Sequence, residues 1–321
     1  MRGSVPDDVI SFLQEWCDDN DYVEGHTSGS TGTPKSVRLL KSDMRASARL
    51  TNEFLGIDSC SVLLLSLSTT YIAGKMMMVR ALEAGASLIA VAPSSTPLRG
   101  LSERITLAAM VPMQVSETLR DEEGVRQLSC IECLLVGGAP VDGELEQHLA
   151  ALPTITYVTY GMTETVSHVA LRKVGERCYT ALGNVTFAID DRSCLVIDAP
   201  QLSGRRFITN DIVELCSERQ FVWQGRYDHV IMSGGLKFCA EVIEQKISSL
   251  LSSRYYITAA PDDRLGQRIV LVVEGEQYDE VAMEELRSSL SAVLSRYEMP
   301  REIRFIAHFE ETYSGKVKRK L

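Results

Sequence analysis

Ten consecutive residues near the start of the chain, 26–35, are small, hydroxylated or basic and read HTSGSTGTPK. Gly29 and Gly32 allow the backbone to adopt positive φ and to bring its N–H groups close to a ligand. Hydroxyl groups and one lysine add donors and positive charge. An oligophosphate suits such a loop, and the predicted contact residues are Thr27, Ser28, Gly29, Ser30, Thr31, Gly32 and Lys35.

The glycine spacing differs from that of the widespread phosphate-binding loop GxxxxGK[ST], in which a lysine directly follows the second glycine. Here Gly32 is followed by Thr33 and Pro34 before Lys35 is reached. Composition alone also allows a turn between two strands that binds no ligand. Other segments of the chain must distinguish these two interpretations.

The composition of the chain bounds its class. Its 321 residues suffice for two domains, and 45% hydrophobic with 24% charged residues is usual for a globular protein. A net charge of -10 and a pI near 5.1 argue against nucleic-acid partners and attachment to a membrane surface. Apolar runs are short and no signal peptide is evident, so we expect no membrane insertion and a cytoplasmic location.

Eight cysteines are scattered along the chain, and Cys130 and Cys133 form its one CxxC pair. Without a second pair or a nearby histidine, this pair is a weak indication of a metal site. The apolar run over 130–136 instead favours a strand with reduced, buried thiols.

Helices and strands alternate in the first half of the chain. Apolar residues at helical spacing predict a helix over 42–54 that ends at Gly56, and a second over 74–84 that ends at Gly85. Further apolar runs predict strands, at 62–67, 88–91, 130–136 and 154–159. This alternation is typical of βαβ units in a parallel sheet, whose ligand-binding loops follow the strands.

The pattern changes after about residue 180. Short strand-like pieces there predict a small β subdomain, at 188–189, 195–197, 207–208, 213–216 and 221–224. Beyond residue 225 the expected elements are helices over 240–251 and 280–297, strands over 268–274 and 302–307, and a basic tail. We therefore expect an α/β fold, with a large N-terminal α/β domain over 1–225 that includes the β subdomain, and a small mobile α+β C-terminal domain over 226–321.

Five further segments follow the loop in a fixed order. They are GGAP at 137–140, YGMTET at 160–165, TND at 209–211, GRYDHVI at 225–231 and SGK at 314–316. Together with TSGSTGTPK, this set resembles the adenylate-forming superfamily of acyl-CoA synthetases, carrier-protein adenylation domains and firefly luciferase. The resemblance implies that a carboxylate attacks the α-phosphate of ATP, giving an acyl-adenylate and pyrophosphate. Such a reaction needs alignment and charge stabilisation more than a strong base, because a carboxylate is already nucleophilic at pH 7.

The resemblance implies a role for each motif. Glu164 would hold Mg²⁺, Thr163 would donate to the α-phosphate, and Lys316 would be the catalytic lysine that reaches the α-phosphate and the acyl carboxylate. The residues implied at the adenine and ribose are Gly138, Ala139, Pro140, Tyr160, Gly161, Asp211 and Arg226, with the tyrosine ring stacked on the base. Without a nucleotide, the same residues also fit an exposed turn carboxylate, a surface ion pair and a solvated run of lysines.

The resemblance also implies a second half-reaction. The small domain would rotate about a hinge that matches Asp228, between adenylating and thioester-forming arrangements. Coenzyme A would contact Gly234, Gly235 and Lys237, although a turn that needs positive φ explains the two glycines as well. ATP, Mg²⁺ and coenzyme A are therefore the implied co-substrates and cofactor.

The chain departs from most members of the superfamily at its front end. Only 25 residues precede the phosphate loop, and a usual PxxH segment is replaced by residues 67–75. This short front end and segment 71–82 resemble compact bacterial 2-succinylbenzoate-CoA ligases of menaquinone synthesis. A second substrate carboxylate needs a cation, and the acyl-pocket candidates are Tyr71, Lys75, Arg80 and His168. Solvent exposure of the two cations and a structural role for the histidine stay open.

We expect an ATP-dependent acid–thiol ligase whose partners are a small carboxylic acid, ATP and coenzyme A. Two alternatives share the nucleotide motifs. One is an enzyme that adenylates another acid and loads it onto a carrier-protein thiol, and the other is a nucleotide-binding protein that has lost its chemistry. The oligomeric state stays open, a homodimer included.

Overall fold

The computed structural model describes residues 6–27, 35–311, 317–319 and 321. The helices of this part are α1 (Asp7–Cys17), α2 (Lys41–Leu55), α3 (Ile72–Ala84), α4 (Pro112–Thr118), α5 (Glu122–Ser129), α6 (Gly143–Ala150), α7 (Ala240–Ile247) and α8 (Glu280–Val293). The strands are β1 (Tyr22–Thr27), β2 (Lys35–Leu40), β3 (Val62–Leu65), β4 (Ser87–Ala90), β5 (Ile105–Met110), β6 (Ile131–Val136), β7 (Ile155–Gly161), β8 (His168–Lys173), β9 (Tyr179–Ala181), β10 (Thr186–Ile189), β11 (Cys194–Ala199), β12 (Arg205–Ser217), β13 (Gln220–Arg226), β14 (Val230–Ser233), β15 (Leu236–Cys239), β16 (Tyr255–Asp262), β17 (Gly266–Glu274) and β18 (Glu302–Ile306).

The larger sheet in the described part of the chain contains eleven strands in the order β10-β11-β12-β13-β9-β8-β7-β6-β5-β3-β4. Strands β4, β3, β5, β6 and β7 run parallel, whereas β8 pairs antiparallel with β7. After β3 the chain adds β4 on one side of it and then β5 on the other, so the direction of strand addition reverses between β3 and β5. Doubly wound sheets of this kind bind ligands outside the carboxyl ends of their strands, and these ends carry the glycine-containing motifs of the sequence.

Alternate residues of the parallel strands enter two separate cores, one on each face of the sheet. Leu63 and Leu65 pack in one core with Met77 of α3. Leu64 packs in the other core with Leu128 of α5. Helices therefore cover both faces, which explains why these strands read as continuous apolar runs, and the predicted α/β fold is confirmed.

A second sheet follows the first along the chain, in the order β15-β14-β17-β16, with β18 parallel to β17. It has its own core, in which Ile231 and Leu271 pack against Ile243 of α7 and Leu290 of α8. The chain passes from the larger sheet to this one through a short 3-10 turn, Tyr227–His229. Helix α7 also contacts β13, so the second unit touches the first beside this turn.

The structure corrects several predicted elements. The helices expected over 240–251 and 280–297 end earlier, at Ile247 and Val293. In the second case Leu294 adopts extended backbone, with φ -101° and ψ 143°, and buries its side chain. Strands β5 and β16 had no clear sequence signal, because their alanines lower β-propensity. No helix of the described residues is long and apolar enough to cross a membrane.

The expectation of buried thiols is half right. All eight cysteines are free, and Cys133 on β6 is buried, which raises the pKa of its thiol to about 12. Cys130 is exposed, because it ends α5 before the strand begins. The pair therefore does not face one common site.

A substitution at Gly74 tests how closely α3 packs against the backbone of the segment before it. A Cβ at this position would lie 2.3 Å from the backbone oxygen of Ser68 and 2.7 Å from that of Leu67. Because backbone atoms cannot rotate away, Gly74→Ala should lower the free energy of unfolding by about 2 kcal/mol, despite the higher helix propensity of alanine. Urea unfolding monitored by circular dichroism measures the change.

Gly143 of α6 is the matched control for this substitution. Its added Cβ would meet nothing nearer than the Ser248 hydroxyl oxygen at 3.2 Å, which can rotate. Gly143→Ala should therefore change the free energy of unfolding by no more than about 0.5 kcal/mol. Equal stability of Gly74→Ala and the parent chain would contradict the close approach.

Candidate functional site

The predicted phosphate loop is framed by two strands. β1 and β2 pair antiparallel with Thr27 opposite Lys35, so the loop starts and ends at neighbouring positions. The predicted contacts at Ser28, Gly29, Ser30, Thr31 and Gly32 lie outside the described residues, as does Lys316. Two strands flanking the loop agree with both interpretations of the sequence, a turn and a phosphate cradle.

A 3-10 turn, Thr163–Thr165, follows β7 and contacts β1. The Thr165 hydroxyl accepts the Met162 N–H at 3.0 Å and lies 2.8 Å from the Ser167 carbonyl oxygen, to which it can donate. This hydroxyl holds the turn and leaves Glu164 exposed, with Thr163 half-buried. The structure thus brings the predicted magnesium ligand close to the hairpin that frames the phosphate loop.

Glu164 can be tested as a magnesium ligand from its surroundings. Among the described residues, no group of three or more His, Cys, Asp or Glu side chains could hold a metal. Mg²⁺ often binds through only one or two carboxylates, with substrate phosphates and water completing its shell. A single exposed carboxylate beside the predicted phosphate loop fits that mode, in which the ion arrives with a nucleotide.

Two glycines at the carboxyl ends of β6 and β7 allow close backbone packing. A Cβ on Gly137 would lie 2.0 Å from the Thr159 hydroxyl oxygen, and one on Gly161 would lie 2.3 Å from the Ser167 carbonyl oxygen. The predicted adenine-pocket residues that follow β6 therefore lie at the edge where β7 ends; they are Gly138, Ala139 and Pro140. Larger side chains in place of these glycines would close this edge.

Asp211 is the centre of a polar network across three strands. The Tyr160 hydroxyl donates to its Oδ2 at 2.7 Å, and Trp223 Nε1 donates to its Oδ1 at 3.2 Å. Arg226 lies directly opposite Asp211 in the β12–β13 register, with Nη1 and Oδ1 3.7 Å apart. The structure thus joins the three predicted residues. Sequence reasoning missed Trp223, because only the strand register brings it to the carboxylate.

Tyr160 is held as a neutral donor. Burial and the neighbouring Asp211 carboxylate raise the pKa of its phenol well above the ordinary value. Its ring contacts Phe221 and Tyr179 at edge-on geometry, with centroid separations of 5.0 and 5.8 Å. These contacts fix the ring orientation, and its stacking on adenine stays a prediction.

Arg226 and the predicted hinge residue Asp228 form an ion pair, with Nη2 and Oδ2 2.9 Å apart. Asn210 also donates to Asp228, at 3.4 Å. The ion pair that the sequence allowed as an alternative joins Arg226 to Asp211, at 3.7 Å, and the pair with Asp228 is an additional one. It does not separate Arg226 from Asp211, since one guanidinium faces both carboxylates.

The predicted coenzyme A residues lie in and after an exposed turn. Gly234 and Gly235, between β14 and β15, adopt φ of 59° and 80°, which explains the two glycines without a ligand. Lys237 is exposed, with Nζ 5.6 Å from the ring centroid of Tyr227, and Arg192 stands 5.1 Å from the same ring. Contact with coenzyme A stays a prediction for all three residues.

Helix α3 buries both of its predicted cations, so the solvent-facing alternative is wrong for each. Lys75 is 7% exposed and Arg80 2% exposed. Lys75 Nζ lies 2.7 Å from a carboxylate oxygen of Glu15 and 4.7 Å from the ring centroid of Phe12. The charge of Lys75 is therefore already compensated within the chain.

Arg80 has no carboxylate partner among the described residues. Its Nη2 donates to the Ser167 hydroxyl at 2.8 Å, whereas its buried Nε has no hydrogen-bond partner in the described part. Burial lowers the pKa of Arg80 to about 10, which still leaves it protonated at neutral pH. A buried, under-bonded cation is costly unless an anion compensates it, so this position favours an anionic ligand.

His168 is buried near Arg80, with Nε2 3.0 Å from the Thr51 hydroxyl oxygen. Burial, together with the charge of Arg80, lowers the pKa of His168 well below its ordinary value, so the imidazole is neutral. The structural role that the sequence left open is thus supported by the Thr51 contact. Tyr71, immediately before α3, is exposed, unlike the other three acyl-pocket candidates.

This chain is similar to known proteins that fit the motifs described above. The sequence profile described as AMP-binding enzyme matches residues 13–225. A probable 2-succinylbenzoate-CoA ligase from Mycobacterium tuberculosis is 28% identical over 330 residues, which cover 95% of this chain and 84% of that protein. An acyl-CoA synthetase (AMP-forming)/AMP-acid ligase II-like protein from Dyadobacter fermentans is 33% identical in its crystal structure, with a TM-score of 0.67 over 99% of this chain and 94% of that chain.

The fold is also that of more distant enzymes. An o-succinylbenzoate coenzyme A synthetase from Bacillus subtilis, solved in complex with ATP and magnesium ion, gives a TM-score of 0.76 at 19% identity, over 92% of this chain and 68% of that chain. At this identity the likeness concerns the fold. The two-sheet arrangement described above is therefore shared beyond the range of clear sequence similarity.

The buried His168 should make the free energy of unfolding depend on pH. Because its pKa is depressed in the folded chain, acidification below its ordinary value of 6.5 protonates the unfolded chain first and favours unfolding. This group alone should cost up to about 1.4 kcal/mol of stability for each pH unit below that value. Urea unfolding between pH of about 7 and 5 should show a weaker pH dependence in His168→Gln.

The exposed His148 of α6 is the matched control. His148→Gln should leave the pH dependence of the free energy of unfolding as in the parent chain. If His168→Gln also left it unchanged, the neutral, buried imidazole would be refuted.

Proposed function

Because the chain belongs to the AMP-binding enzyme family and is an AMP-forming acid–CoA ligase, we propose that its acid is 2-succinylbenzoate, converted to 2-succinylbenzoyl-CoA in menaquinone biosynthesis. The observation that carries this choice of acid is Arg80, which is buried, charged and without a carboxylate partner among the described residues. The acid has two carboxylates, and one persists when the other is activated. That remaining carboxylate supplies the counterion that Arg80 lacks.

The nucleotide is assigned to the edge formed by β6, β7 and the Asp211 network. Among the described residues, each oxygen of Asp211 accepts one hydrogen bond, and a carboxylate oxygen has two acceptor sites, so ribose hydroxyls can bind as well. Residues 137–140 and Tyr160 border the base. The β1–β2 loop would then receive the β- and γ-phosphates, and Glu164 would hold Mg²⁺, which would neutralise part of the phosphate charge.

The proposed reaction has two steps. In the first, a carboxylate oxygen of the acid attacks the α-phosphorus of ATP, and the bond to the leaving pyrophosphate breaks. Thr163 and Lys316 stabilise the charge that develops on the α-phosphate, and loss of such a contact in a water-excluded site costs on the order of 3 kcal/mol. In the second, the thiol of coenzyme A attacks the acyl carbon and AMP leaves.

The two steps are assigned to two arrangements of two domains. Residues 1–225 bind ATP and the acid, and residues 226–321 form a lid that carries Lys316. The support is the change of sheets at Tyr227–His229, which lies around the proposed hinge Asp228. Rotation there replaces Lys316 at the nucleotide by the surface of Gly234, Gly235 and Lys237, where coenzyme A is proposed to enter.

Arg80→Gln tests the choice of acid. The substitution removes the buried cation and leaves a shorter, neutral amide in its place, which also gives up the contact with Ser167. It should lower kcat/KM for 2-succinylbenzoate by about 10²-fold or more, because a fully desolvated charge pair is lost. Benzoate, which lacks the second carboxylate, should be adenylated as slowly by the variant as by the parent chain. Acid-dependent release of pyrophosphate from ATP measures both rates.

The exposed Arg104 provides a control, since its pair with Glu132 lies on the surface. Arg104→Gln should leave kcat/KM within about twofold of the parent value. Release of pyrophosphate with medium-chain fatty acids but not with 2-succinylbenzoate would show that the proposed acid is wrong. Transfer of the acyl group to a carrier protein and not to free coenzyme A would favour the carrier-loading alternative.

A further inference from the structure

The residues just before segment 312–316 pair with the residues just after it, at the start of the C-terminal tail. Glu311 and Val317 form an isolated antiparallel bridge. The Lys318 N–H donates to the Glu310 carbonyl at 2.8 Å. The segment that contains Lys316, although outside the described residues, therefore starts and ends at neighbouring, hydrogen-bonded positions.

Arg319 attaches this tail to α7. Its Nη1 and Nη2 lie 2.7 and 2.9 Å from the two carboxylate oxygens of Glu244. The two side chains are only 20% and 17% exposed, and the Ile257 N–H donates to the same carboxylate at 2.6 Å. Exposed ion pairs contribute little, but a two-pronged, largely buried pair fixes orientation as well as distance.

Glu241, one turn earlier on α7, links Arg319 to the junction between the two sheets. Its Oε1 lies 3.7 Å from Arg319 Nη1 and forms a short contact with Nδ1 of His229, the residue after the proposed hinge. Burial alone would raise the pKa of Glu241, but the bond with His229 and the charge of Arg319 hold it below the ordinary value.

Glu241 also packs against the last residues of the larger sheet. A Cβ on Gly225 would lie 2.4 Å from Glu241 Oε2, and Gly225 adopts a φ of 139° that other residues rarely reach. The carboxylate therefore sits directly on the chain segment that enters the hinge. The anchor of the tail and the hinge are parts of one contact network.

We propose that Arg319 is a positioning residue for the first half-reaction: by binding Glu244 of α7, it sets where the tail presents Lys316 to the α-phosphate. The inference rests on the proposed function, in which Lys316 is the catalytic lysine. Arg319 itself does not touch the reacting atoms. It acts through the two residues that separate it from Lys316, Val317 and Lys318.

This role has a kinetic signature that a purely structural role lacks. A displacement of about 1 Å at a reacting group can lower a rate by up to about 10²-fold, while substrates bound elsewhere are held as before. Loss of the anchor should therefore lower kcat of adenylation with little change in KM. The thioester step, which does not use Lys316 in the proposed reaction, should be spared.

The test compares three full-length variants in ATP–pyrophosphate exchange with 2-succinylbenzoate and in thioester formation from supplied acyl-adenylate. Arg319→Gln should lower the exchange kcat by about 10- to 100-fold, with KM and the thioester rate within about twofold of the parent values. Arg319→Lys keeps the charge but loses the fork and should recover part of the rate. Lys318→Gln is the matched control, since the Lys318 side chain is exposed and its ion-pair partner within the described part of the chain is the exposed Glu310, at 3.6 Å.

Several outcomes would overturn the proposal. They are parent-like exchange in Arg319→Gln, equal losses in both half-reactions, or an equal loss in Lys318→Gln. If Arg319→Gln does not fold, Arg319→Lys and Glu244→Gln are judged by the same criteria. Lys316→Ala distinguishes failure of the proposed function from failure of the positioning role of Arg319. Parent-like exchange in Lys316→Ala refutes the proposed function. Loss of exchange in Lys316→Ala together with parent-like exchange in Arg319→Gln refutes only the positioning role.

Discussion

The carboxylate of Asp211 is the interaction on which the arrangement of the site depends. It joins Tyr160 at the end of β7 to Trp223 and Arg226 on β13, and so fixes the edge of the parallel strands to the antiparallel half of the same sheet. The raised pKa of Tyr160 keeps a proton available for this contact. Because β13 leads directly into Asp228, the proposed ribose site and the proposed hinge share one network. A nucleotide bound at Asp211 would therefore change the contacts of residues beside the hinge.

The second constraint is that two buried cations of α3 differ in whether a carboxylate of the described residues compensates their charge. Lys75 is buried with Glu15 as its counterion, whereas Arg80 is buried without a carboxylate from the described residues. Retaining an uncompensated charge in an interior costs stability, and the close seating of Gly74 on the backbone after β3 helps to hold the helix in that place. In the proposed function, a substrate carboxylate would recover this cost on binding, and affinity would then depend on a second anionic group in the substrate.

The sequence predicted those features that depend on local chemistry. Helix ends at Gly56 and Gly85 are confirmed by φ of 67° and 64°, and the βαβ alternation is confirmed by the parallel strands. Features that depend on long-range register were missed, such as the contact of Trp223 with the acidic residue of β12. The burial of Arg80 was also beyond reach, because α3 is buried on most of its surface and its periodicity does not indicate which side faces a pocket. The pair between the tail and α7 joins residues 75 apart, which no local pattern encodes.

The central claim is that the acid carboxylate itself attacks the α-phosphorus of ATP. It is tested most directly by supplying 2-succinylbenzoate labelled with ¹⁸O in its carboxylates and analysing the nucleotide product by mass spectrometry. The account predicts AMP that carries one ¹⁸O atom per turnover, because the bridging oxygen of the acyl-adenylate comes from the acid and leaves with AMP. Unlabelled AMP, or ¹⁸O found in orthophosphate, would contradict it.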